Sequence, residues 1–148
     1  MMSTSDLVRV FHETYDCPIN DGAPAFPEDR LMLRLGLIVE EVAELLDASL
    51  SSPAGDLLRG VWPVIQSLDL GARDMVEVAD ALADIDYVVC GMAIELGIPH
   101  DAVVAEVHRS NLSKLGLDGR PIYRADGKVL KGPNYTKPNV AAVLEELS

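Results

Sequence analysis

Apolar residues recur with a helical period over most of this chain, and turn residues punctuate them. Residues 5–15 predict a first helix with Val8, Phe11 and His12 on one side. Pro18, Asn20, Asp21, Gly22, Pro24 and Pro27 predict an irregular connection over 16–27. A second helix is expected from about Glu28 to Leu50, with an acidic first turn that suits the helix dipole. Pro53, Gly55, Gly60 and Pro63 then predict only short helical pieces, around Leu57 and Val64. A third long helix should run from about Ala72 to Leu96 and stop at Gly97 and Pro99. A fourth should start near Pro99 and reach about Leu115. Beyond Gly116 the helical period is lost. Asp118-Gly119 and Asp126-Gly127 are turn pairs, and Tyr123 to Lys131 predicts a small hairpin or an extended arm. A last short helix fits Pro138 to Leu147. The pattern is all-α: a single domain over residues 1–148, with a four-helix-bundle-like core and an irregular C-terminal arm.

Two helices carry carboxylates where the pattern is otherwise apolar. On the second, Leu33 and Leu37 begin a stripe that becomes Glu40, Glu41 and Glu44. The main apolar face (Leu31, Leu35, Ile38, Val42, Leu45, Leu46) lies opposite, so this cluster alone also fits a solvated acidic face. On the third helix, Glu77, Asp80 and Asp84 follow i, i+3, i+7 spacing and share one narrow stripe. The rest of that helix is apolar nearly all round, which predicts burial. Asp86 points away from the stripe. Two like charges about 4 Å apart repel by roughly 4 kcal/mol at an effective dielectric near 20. Six facing carboxylates therefore call for cations or protons. Hard oxygen donors without Cys, and with no obvious His, favour Mg²⁺ or Mn²⁺. A di-iron oxidase is a rival reading, but its Glu-x-x-His signature is absent.

Charge placement adds the complementary half. The chain of 148 residues carries a formal charge of −12, which argues against a nucleic-acid polymer or an anionic membrane as partner. Residues 1–108 have a net charge of −15 and residues 109–148 a net charge of +3. An acidic body with a basic tail suits a metal plus a polyphosphate. In the fourth helix, Val104 and Val107 share a stripe with His108, Asn111 and Lys114. Lys114 could offset phosphate charge, and Asn111 could hydrogen-bond a phosphate oxygen. Lys128 to Tyr135 combines two cations, a glycine and an aromatic ring, and could close over a nucleotide. Cys17 and Cys90 form no recognisable zinc or disulfide framework. The longest apolar run, Tyr87 to Ile94, is too short to span a bilayer, and the polar N-terminus lacks a signal-peptide pattern. A cytoplasmic setting is the default expectation.

Glu40-Glu41-x-x-Glu44, Glu77-x-x-Asp80 and Leu82-Ala83-Asp84-Ile85-Asp86-Tyr87 together resemble the MazG-like all-α NTP pyrophosphatases. The stretch from Glu106 to Lys114, with Asp126-Gly127-Lys128 and Lys131-Gly132-Pro133-Asn134-Tyr135, resembles the phosphoribosyl-ATP pyrophosphohydrolase-like branch. The superfamily also includes dimeric dUTPases. The resemblance implies hydrolysis of a nucleoside triphosphate between the α and β phosphates, giving the monophosphate and pyrophosphate. It implies Mg²⁺ or Mn²⁺ on the acidic motifs, and a homodimer or homotetramer. Glu40, Glu41 and Glu44 match the first motif. The second motif fits in two registers: Glu77-x-x-Asp80 directly, or on Asp84, with Asp80 standing one residue before the usual preceding acid. All three acids are therefore candidate ligands.

The expected chemistry is attack of water on the α-phosphorus, with Glu41 as proton acceptor and Lys114 and Lys131 offsetting phosphate charge. Asn111, Lys114, Lys131, Tyr135, His12 and Tyr87 are the candidate substrate contacts. Trp62 could stack on a base, or simply pack beside Pro63. dUTP is the first expectation, with a broad or non-standard NTP, or phosphoribosyl-ATP, as alternatives. A non-catalytic helical partner-binding protein is the rival from another class.

Overall fold

The computed structural model describes residues 2–146. Among them are six helices: α1 (Thr4–Thr14), α2 (Glu28–Ser49), α3 (Ser52–Gln66), α4 (Met75–Glu95), α5 (His100–Leu112) and α6 (Val140–Glu145). The fold is all-α, as the periodicity predicts. Leu147, the expected end of the last helix, lies outside the described residues. Contacts divide the chain into two compact units, Pro24–Met75 and a discontinuous unit of Met1–Ala23 with Val76–Ser148.

The Pro24–Met75 unit is an α2–α3 hairpin. The expected short pieces between 51 and 70 are instead one helix of 15 residues. Pro53 lies in its first turn, where no backbone donor is needed. Pro63 falls close to the end, and the chain leaves through three-residue turns, with the Ser67, Leu68 and Asp69 amides donating to the Val64, Ile65 and Gln66 carbonyls. Gly55 is a contact point rather than a breaker. It is buried, and a Cβ there would overlap the Ala43 carbonyl and Asp47 Oδ1 of α2. Asp47 Oδ2 accepts a 2.6 Å bond from Arg59, clasping the two helices. The Trp62 ring lies against Gly36 within this hairpin. Arg73 bridges Glu28 and Asp69, tying the end of the unit to the start of α2.

In the other unit, α1 packs along α5, and α5 against α6. A capping box opens α1: the Ser3 hydroxyl accepts from the Asp6 amide, and the Asp6 carboxylate accepts from the Ser3 amide. At the other end, Tyr15 is fully buried. Its ring stacks on Phe11 at 4.4 Å, and its hydroxyl donates to the Asn111 carbonyl at 2.8 Å. Burial raises the Tyr15 pKa above its ordinary value. The expected hairpin is present: Tyr123 bridges Val129 in antiparallel register, and the Tyr123 hydroxyl donates to the Tyr15 carbonyl at 2.7 Å.

Helix α4 ends as the sequence predicts. Gly97 has φ +68°, its amide bonds the Ile94 carbonyl, and the Ile98 amide bonds the Ala93 carbonyl. Its surroundings differ from the expectation of burial. Among the described residues it packs along no other helix of its unit. Leu82 is 51% exposed, Val88 63% and Ile94 78%. The apolar pattern records a surface that needs covering, and the partner is not another helix of this unit.

Candidate active site

The carboxylates predicted to bind metal are distributed over both units. Glu40, half-buried, and Glu41 and Glu44, exposed, lie on α2. Glu77, Asp80 and Asp84 are exposed on α4, whose unbroken helix confirms the shared stripe. Among the described residues, no three His, Cys, Asp or Glu side chains are grouped so that they could hold a metal ion. Each cluster offers hard carboxylate oxygens only, a donor set that fits Mg²⁺ or Mn²⁺ in chemistry. Tyr87, on the same helix as the second cluster, is 82% exposed.

The residues predicted to contact phosphate come together around the end of α5. The arm docks there because the last carbonyls of a helix lack partners within it. The Asn111 carbonyl receives the Tyr15 hydroxyl, and the Lys114 carbonyl receives the Gly132 amide at 2.9 Å. Gly132 is buried, and a Cβ on it would collide with the Lys114 and Leu115 carbonyls, so this approach requires glycine. Lys131 precedes it, and its ammonium lies 4.7 Å from the centre of the Tyr135 ring. Tyr135 is half-buried. The Ser110 hydroxyl beside its phenol, with Lys131 and Lys114, holds its pKa below the usual tyrosine value.

Lys114 reaches in the other direction as well, with its ammonium 5.9 Å from the centre of the Phe11 ring. His12 lies edge-on to Phe11, and His12 Nδ1 sits 2.9 Å from the Pro18 carbonyl. The end of α5 thus gathers His12, Asn111, Lys114, Lys131 and Tyr135 within one unit. Sequence reasoning missed Phe11 as the ring beneath Lys114. It also missed Ser110 and Ser113, which hold the arm. The signal was present in the i, i+3 spacing of those serines on the turn before Lys114. A separate open cavity of about 860 Å³ lies at the opposite end of α5, lined by Leu7, Pro99, His100 and Val104 among others. It contains none of the predicted residues.

The family profile of phosphoribosyl-ATP pyrophosphohydrolase matches residues 8–111, more than two-thirds of the chain. The chain belongs to the phosphoribosyl-ATP pyrophosphohydrolase family. This confirms the branch of the MazG-like superfamily that the motifs resemble. The family segment holds both acidic clusters, His12 and Asn111, whereas Lys114, Lys131 and Tyr135 lie beyond it. The whole chain, arm included, is similar to a crystal structure at 1.78 Å resolution from Exiguobacterium sp. 255-15, named for a proposed NTP pyrophosphohydrolase activity. The TM-score is 0.72 at 28% identity, covering 99% of this chain and 96% of that one. No curated protein matches the chain significantly.

Proposed function

We propose that this protein is a metal-dependent nucleoside triphosphate pyrophosphohydrolase, with dUTP as the first substrate to test. Family membership and the similarity to the Exiguobacterium protein support pyrophosphohydrolase chemistry. The observation that carries the reading to this chain's own residues is the gathering of Lys114 and Lys131 around Tyr135 at the end of α5. Two ammonium groups beside a phenol form a site for an extended phosphate chain, and the rings of Phe11 and Tyr135 give it apolar walls.

In this reading, Lys114 and Lys131 bind the triphosphate and offset charge that builds on the departing pyrophosphate. Asn111 hydrogen-bonds a phosphate oxygen, while His12 and Tyr87 contact the nucleoside. Glu41 takes a proton from the attacking water as its oxygen bonds the α-phosphorus. The bond from that phosphorus to the bridging oxygen breaks, and the electron pair leaves with pyrophosphate. Glu40, Glu41, Glu44, Glu77, Asp80 and Asp84 are the proposed ligands of Mg²⁺ or Mn²⁺, which when bound supplies polarisation of the phosphate oxygens. Residues 1–148 act as one functional domain in a homodimer or homotetramer. The exposed apolar surface of α4 supports such assembly, because a second copy would remove it from water. No single helix among the described residues is long and apolar enough to cross a membrane. A cytoplasmic enzyme is the corresponding proposal for location.

Phosphoribosyl-ATP is the second substrate reading, favoured by the description of the matching family. A pyrophosphate-release screen decides between them, using the common and non-standard (d)NTPs and phosphoribosyl-ATP, each with Mg²⁺ and with Mn²⁺. Release from none of them would refute the enzyme reading in favour of a partner-binding helical protein. Glu41→Gln should reduce turnover by about 10³-fold or more, the scale of general-base catalysis. Its circular dichroism should match that of the parent protein. Turnover near the parent rate would remove Glu41 as the proton acceptor.

A further inference from the structure

The basic arm reaches Lys114 by a route that no predicted residue explains. Thr136 follows Tyr135, and both of its backbone groups are claimed by serines of α5. The Thr136 amide donates to Ser113 Oγ at 2.9 Å, and the Thr136 carbonyl accepts from Ser110 Oγ at 2.7 Å. Ser113 Oγ in turn donates to the Ser110 carbonyl at 2.6 Å. Ser110 is 1% exposed. On the near side, the Gly132 amide bonds the Lys114 carbonyl. A turn closes the segment between these anchors, with the Tyr135 amide bonded to the Gly132 carbonyl. Lys131 and Tyr135 are therefore held at both ends of a five-residue segment, directly above the turn that bears Lys114.

This arrangement does more than attach a tail. Further along, the arm has separate fastenings: Arg109 bonds Thr136 Oγ1 and the Lys137 carbonyl, and Glu106 receives the Asn139 amide. The two serine bonds act on the backbone immediately after Tyr135. Losing them would leave the arm attached but free the Tyr135 ring and the Lys131 ammonium stacked on it.

We propose that Ser113 and Ser110 are positioning residues that set Lys131 and Tyr135 against Lys114 for binding the pyrophosphate portion of the substrate. The inference rests on the arm's assignment to phosphate, and the test separates the two. Inorganic pyrophosphate with Mg²⁺ is the probe, and calorimetry on the full chain is the measurement. Ser113→Ala removes one acceptor and one donor, and should weaken binding about ten-fold. Ser113→Thr keeps the hydroxyl and should restore binding. Amide exchange at Thr136 should accelerate in the alanine variant and return in the threonine variant. In a Lys131→Ala/Tyr135→Ala background, Ser113→Ala should change affinity by less than about two-fold, because its effect passes through those side chains.

Parent-like affinity in Ser113→Ala would overturn the positioning role. So would a full ten-fold loss that persists in the doubly substituted background. If Lys131→Ala/Tyr135→Ala itself binds pyrophosphate as tightly as the parent, the arm's assignment to phosphate fails, and the positioning role with it. A weak doubly substituted protein beside a parent-like Ser113→Ala would leave the phosphate assignment standing and overturn only the positioning role.

Discussion

Helix α4 and the end of α5 lie in the same unit and both mix apolar with charged positions, yet they satisfy those positions in different ways. Along α4 the backbone bonds are internal, the acids stand on one stripe, and large apolar side chains face water. At the end of α5 the arrangement is reversed: leftover helix carbonyls and two serines are consumed by Tyr15, Gly132 and Thr136. The first region is complete as a helix and incomplete as a surface. The second is incomplete as a helix and completed by the tertiary fold. The apolar face of α4 finds no cover among the described helices of its own unit, whereas the free carbonyls at the end of α5 are met by the arm of that same unit.

The sharpest way to break this contrast is to charge the α4 surface. Ile85→Asp should raise the dissociation constant of the proposed homo-oligomer by about 30-fold or more, as expected for an apolar anchor at an interface. Sedimentation equilibrium would report it. A parent protein that sediments as a monomer would show that α4 has no second copy as partner. At the α5 end, Gly132→Ala should cost about 1–3 kcal/mol, because its methyl group meets two carbonyls held by the helix. Urea unfolding gives the loss, and earlier protease cleavage between 120 and 137 would show that the arm is what has loosened.

Gly91→Ala on α4 sharpens the comparison from the other side. A Cβ there meets nothing within 4 Å. The substitution should therefore stabilise the helix by about 1 kcal/mol through backbone entropy alone. A loss in the assembled protein would locate the close approach of a second copy at Gly91.

The smallest effect concerns pH. Arg109 and the Asn139 amide hold the Glu106 carboxyl down at about 2. A carboxylate depressed on folding adds stability above its ordinary value near 4.5, and that stability is lost as the pH falls towards 2. Glu106→Gln should lower thermal stability modestly at neutral pH, flatten its fall over that window and leave the value near pH 2 almost unchanged. An acid profile that keeps its slope would remove this fastening of the arm from the account.

Much of the molecule was legible from residue order. The starts of α2 and α5, the end of α4 at Gly97, and the hairpin turn at Asp126-Gly127 all follow from local backbone preferences. The acidic stripe on α4 follows from helical spacing. Continuity of α3 through Pro53, Gly55 and Pro63 was not legible. Two of those residues act only at the helix ends, and Gly55 answers to the α2 backbone packed against it. The serines that hold the arm were visible as residues, but not as a device. Their partner, the Thr136 backbone, lies more than twenty residues along the chain and has no side-chain signature.

The sequence by itself determined which segments are helical, which helix is apolar nearly all round, and where acidic and basic charge concentrate, because these depend on neighbours within a few residues. Only the tertiary structure decided that Lys114, Lys131 and Tyr135 share one place, and that α4 keeps its apolar side chains exposed. Contacts between distant segments depend on which unpaired groups and free surfaces meet once the chain has turned back on itself, and a local pattern records the need for a partner without naming it.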